Sequence, residues 1–245
     1  MNGWKVTGLI ALAVMVLALA MGVFLQQPKP LPDFKTYQQT SEKKKAFFAF
    51  LQPLVEQENK VIFQQRSELI SLKNKMSLTP ADLKWLKQMA MFYRVDNEGK
   101  TIGQVLDALL MRVDIIPVSL ALSQSANESA WGTSRFAVEG NNLFGQWCYR
   151  EGCGLIPANR SSKARHEVAR YASPSDSVRS YLYNLNTHKA YQSFRELRWQ
   201  QRQQQKKPAG SILVAGLQHY SSRGEAYIRE LKTMMRSNQL DQYDH

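Results

Sequence analysis

Twenty consecutive residues, Val6–Leu25, carry no charge and are mostly Leu, Ala, Val, Met and Ile. A water-soluble fold has no place on its surface for such a run, whereas about 20 apolar residues in a helix span a bilayer core. Lys5 precedes the run, as a signal anchor requires. Ala18-Leu19-Ala20 would suit cleavage of a signal peptide, but Met21–Leu25 extend the apolar stretch past it. The reading is a signal anchor or transmembrane helix over 1–25. It would hold the body at the inner membrane, in the periplasm of a bacterial host, or release it if the segment is cut.

The remainder reads as a folded body. The 44% hydrophobic content argues against disorder. Pro28, Pro30 and Pro32 sit among polar neighbours, so residues 26–40 read as a stiff, extended linker. The net charge of +12 favours a polyanionic partner. Nucleic acid is set aside because no recognition-helix or zinc-finger pattern accompanies the scattered cations; an acidic cell wall or anionic membrane surface remains. Two cysteines, Cys148 and Cys153, with four histidines lacking ligand spacing, are too few for a metal site. In an exported compartment they read as a short disulfide, with free thiols the alternative. Neither metal nor cofactor is expected, and the sequence carries no sign of oligomeric state.

Helical spacing dominates. Phe47, Phe48, Leu51, Leu54, Val55, Ile62 and Leu69 recur on one face, with Pro53 placed to kink or divide the helix. Thr79 caps a helix opened by Pro80, whose stripe is Leu83, Leu86, Met89 and Ala90. Thr101 caps another, carrying Ile102, Val105, Leu106, Leu109 and Leu110. These form a helical N-terminal extension over 41–109. Pro117 opens a helix running to about Ala130, and Gly132 suits a left-handed cap. Residues 141–172 read as a loop with a small β-hairpin. Helices return over Ser177–Asn186, His188–Gln205 and Glu225–Ser237. The fold class is mostly α with a small β lobe.

Glu128 ends the small-residue helix. A carboxyl group beside an aromatic, here Trp131, and a low-dielectric wall prefers its neutral form, which an acid catalyst needs at near-neutral pH. The sequence Ala126-Asn127-Glu128-Ser129-Ala130-Trp131-Gly132-Thr133-Ser134 is followed by Phe136-Ala137 and Asn141-Asn142-Leu143-Phe144-Gly145. This pattern resembles the glucosaminidase family of peptidoglycan hydrolases, glycoside hydrolase family 73, and within it the Bax-type bacterial proteins, unrelated to the apoptosis regulator of that name.

The resemblance covers roughly 110–240 and implies a lysozyme-like (α+β) catalytic domain there. It implies an endo-β-N-acetylglucosaminidase that cleaves peptidoglycan glycan strands after N-acetylglucosamine, with Glu128 as general acid. Asn141 and Asn142 would bond sugar or pin the loop. Phe144, Trp147 and Trp131 would wall the cleft or pack the core. The second acid in such a family comes from the β lobe, so Glu167 and Glu151 are candidates, with Glu167 favoured; if neither is close, the substrate's acetamido group can act as nucleophile. Tyr220 matches a site tyrosine of the family, although Gln218-His219 and Arg223-Gly224 replace its flanking glycine and aspartate. Tyr191 reads as packing. Two other readings compete: a non-catalytic wall-binding protein on the same scaffold, and a peptidoglycan amidase, which would need a metal cluster or a Cys/His nucleophile.

Overall fold

A computed structural model describes residues 29–158, 160 and 165–244. The expected anchor over Val6–Leu25 lies outside the described residues. Among the described residues, no helix is long and apolar enough to cross a membrane.

Helix α1 (Thr40–Asn74) forms a spine and runs unbroken through Pro53. It buries Phe47, Phe48, Leu51, Val55 and Leu69, each large apolar side chain contributing about 1.5–3 kcal/mol. Its buried polar groups matter as much. Asn59 donates to the Ile116 carbonyl at 2.7 Å and accepts the Ile116 N–H at 3.0 Å. Arg66 donates to the carbonyls of Leu110 and Val113. The extension therefore grips the segment that leads into the Glu128 helix.

Helices α2 (Pro80–Phe92) and α3 (Ile102–Arg112) begin in capping boxes, Thr79 with Asp82 and Thr101 with Gln104. Leu83 and Ile102, expected in apolar stripes, are exposed. The chain continues through α4 (Val118–Glu128), α5 (Arg135–Gly140), α6 (Pro174–Thr187), α7 (Gln192–Gln203), α8 (Gly210–Leu213) and α9 (Glu225–Ser237). Between α5 and α6 lies a sheet of very short strands, β1 (Trp147–Cys148), β2 (Gly154–Leu155) and β3 (Glu167–Ala169). Its order is β1-β3-β2, with both pairings antiparallel, so it is a three-stranded lobe rather than a hairpin.

The segment read as a linker is docked at its C-terminal end. Residues 31–40 are not a free linker: Phe34 is buried, and its ring meets Phe47 edge-on at 5.3 Å. The Pro-rich composition hid this docking because one aromatic side chain, with no periodic pattern, does it. The helices of the 41–109 extension share one hydrophobic core with the rest, which runs from Phe34 to Leu240 and includes α1.

Candidate active site

Every residue from Val118 to Ala126 is buried, because Ser and Ala let neighbours close around α4. Glu128, in the last turn, is only half-buried. The chain then turns through Ala130, Trp131 and Gly132 at φ 50°, 61° and 74°. Left-handed backbone costs about 1–2 kcal/mol at each non-glycine residue. Neighbouring contacts hold it: Gly132 N–H donates to Ser129 Oγ at 2.8 Å, and Trp131 packs edge-on against Phe47 and Phe48 of α1. A residue that forces such a turn right after a carboxylate fixes where that carboxylate points.

The wall around Glu128 is made mainly by tyrosines, and Trp131 instead turns to α1. Tyr181 donates to Gln124 Oε1 at 2.6 Å, and Gln124 Nε2 donates to the Tyr227 hydroxyl at 3.0 Å. With its oxygen already accepting, Tyr227 keeps its own proton to offer the Glu128 carboxyl, whose pKa it pulls down. Asn127 Nδ2 donates to Glu128 Oε1 at 3.3 Å. Burial pushes the Glu128 carboxyl above the usual carboxylate range, against the pull of Tyr227 and Asn127, and the charge of Glu230 on α9 adds to the rise.

Gly145 completes the wall. At φ +63°, a Cβ placed there would sit 3.2 Å from Glu128 Oε2, so glycine serves both the backbone and the close approach. Asn142 ties this loop: its amide donates to the carbonyls of Gln146 and Ala169 and accepts the N–H groups of Phe144 and Gln146. Asn141 is a left-handed helix cap that donates to the Tyr171 carbonyl. Asn142 thus has no free amide capacity, whereas the side chain of Asn141 makes the single bond to Tyr171. Phe144 is buried and stacked on Tyr181 at 3.9 Å, which makes it core and not cleft surface. Tyr220 donates to the Phe144 carbonyl at 2.9 Å and stacks on Tyr227, so it braces the wall from behind.

On the β lobe, Trp147 is 57% exposed and stacks on His166 at 4.0 Å, leaving an indole face open to solvent. Cys148 and Cys153 form the disulfide. Glu167, the favoured second acid, is buried on β3, and its two oxygens accept the N–H groups of Gly152 and Gly154 at 3.1 and 2.8 Å. Those bonds hold its carboxyl below the usual range and fasten the disulfide loop to β3. Its carboxylate and both sulfurs lie within 4.8 Å of one another, but sulfurs bonded to each other are not thiolate ligands, nor nucleophiles.

Residues 103–240 match the glucosaminidase family model, described as mannosyl-glycoprotein endo-beta-N-acetylglucosaminidase. The chain belongs to the glucosaminidase family. Protein bax of Escherichia coli (strain K12) is 36% identical to it over 209 residues, which cover 85% of this chain and 74% of that one. The catalytic domain of the autolysin Auto from Listeria monocytogenes is similar over 74% of this chain and 96% of its own, at 20% identity and a TM-score of 0.41. That superposition is too loose to build on.

Within the glucosaminidase domain, the residues that sequence reading missed are Gln124, Tyr181 and Tyr227. Only Gln124 carried a signal: a buried-face glutamine one helical turn before the acid, in a helix otherwise filled by small and apolar residues. The gripping residues Asn59 and Arg66, and Lys44 beside Trp131, lie before the matched region.

Proposed function

We propose that the chain hydrolyses peptidoglycan glycan strands at the bond after N-acetylglucosamine, with Glu128 as general acid. The observation that carries this reading is the environment of Glu128: a half-buried carboxyl, raised in pKa chiefly by burial, held by Asn127 and approached so closely by Gly145 that a Cβ there would sit 3.2 Å from it. Such a group holds its proton where an exposed carboxylate would have lost it. It hands that proton to the linking oxygen as the bond to the anomeric carbon breaks, and water then supplies the oxygen of the new reducing end. Membership of the glucosaminidase family supports a glycosidic bond of N-acetylglucosamine as the one cut. Glu167 acts in this reading as a clamp on the β lobe. The apolar run Val6–Leu25 and the Cys148–Cys153 disulfide fit an exported, envelope-held enzyme.

Digestion of purified sacculi, borohydride reduction and mass spectrometry test the reading. Reduced N-acetylglucosamine ends are expected. Reduced N-acetylmuramic acid ends would make the chain a muramidase, and released peptides an amidase.

A further inference from the structure

Two cavities, of about 370 and 580 Å³, meet between the start of α1 and α9 with its following turn. They share Lys44 and Asn238. Lys45 lines one and Arg229 the other. Trp131 forms the floor of the smaller one, with Lys44 Nζ 5.0 Å above its ring. The acidic side chain in the lining is Glu230, whose Oε2 lies 2.7 Å from an Arg223 Nη. With that pair neutralised, Lys44, Lys45 and Arg229 leave the groove cationic.

We propose that this groove binds the carboxylates of the peptide stems carried by the glycan, an inference that rests on the peptidoglycan reading. Position favours it. Trp131, which lines the groove, follows Glu128 by three residues, so the groove lies one short turn of chain from the acid. Charge favours it too. A bare strand offers only the one lactyl carboxylate of each muramic acid, whereas each stem brings several carboxylates on a short, flexible peptide that can reach three cations. The wall supplied by Lys44 and Lys45 belongs to α1, before the matched residues 103–240, so the extension would widen the site from strand to strand-plus-stem. An anionic membrane offers the same charge but not the placement next to Glu128.

The test uses the full chain carrying Glu128→Gln, so that strands stay whole, and fluorescently labelled soluble glycan strands with and without stems. Anisotropy titrations are expected to show about tenfold tighter binding to stem-bearing strands, weakening as salt rises. Adding Lys44→Ala and Arg229→Ala removes that preference, and Lys44→Arg alone keeps it. Equal affinity for both strands, or a preference that survives the double substitution, overturns the inference. So does a loss confined to vesicles of anionic lipid, which would hand the groove to the membrane. Because binding is read without turnover, a chain that binds stems but never releases reducing ends would sink the hydrolase reading and leave this one standing.

Discussion

Gln124 and Tyr227, joined by a 3.0 Å hydrogen bond across 103 residues of chain, decide where the Tyr227 proton points. Gln124 fills the acceptor side of the hydroxyl, and the proton is left for Glu128. Tyr227 thereby pulls the pKa of the acid down, against the upward push of burial.

Tyr227→Phe removes that pull. The Glu128 pKa then rises further, so the protonated acid persists to higher pH and the alkaline limb of the kcat profile moves up. Lost orientation lowers the plateau by about 10- to 100-fold. A pH–rate profile of sacculus digestion reads both effects.

Glu167→Gln should leave turnover within a few-fold of wild type and loosen the disulfide loop. The Glu167 pKa is depressed on folding, so its contribution is full above the unfolded carboxylate pKa and fades as pH falls through the folded one. Hydrogen exchange at the Gly152 and Gly154 amides is expected to quicken in the variant at neutral pH, and in wild type only on acidification. A dead enzyme with unchanged exchange would restore Glu167 as the second acid.

Asp114 sits before α4 and accepts a bidentate pair from Arg202 at 2.9 and 2.8 Å, with Arg66 at 3.5 Å. Burial alone would raise its pKa, but these guanidiniums, with Arg198, pull it down. Arg198 is fully buried, and its own pKa falls to about 10 through burial. Asp114→Asn leaves those cations without their counter-charge and is expected to cost about 3–5 kcal/mol in urea melts.

Gly132→Ala places a methyl 2.5 Å from Phe34 Cδ2 at a backbone of φ +74°. The strain and the clash together should cost about 2–4 kcal/mol. Phe34→Ala in the same chain relieves the clash alone, so the two substitutions combine to less than their sum in a thermal-melt cycle.

What the sequence made legible was local. Thr79–Asp82 and Thr101–Gln104 announce helix starts because a capping box is complete within four residues. Glu128 and Gly145 stood out through the family pattern that contains them. The relay from Tyr181 through Gln124 to Tyr227 was invisible because its bonds span 57 and 103 residues. The bonds of Glu167 to Gly152 and Gly154 were not legible because a three-residue strand has no period from which to read which way its side chain turns. The docking of Phe34 carries no sequence signal, because a proline-rich neighbourhood outweighs one aromatic ring.

The most direct test is Glu128→Gln, assayed for new reducing ends from sacculi beside wild type at the wild-type optimum. Glutamine keeps the shape and has no proton to give. The rate is expected to fall by about 10²–10⁴-fold while strand binding persists. A variant that releases reducing ends within a few-fold of wild type would contradict Glu128 as the acid.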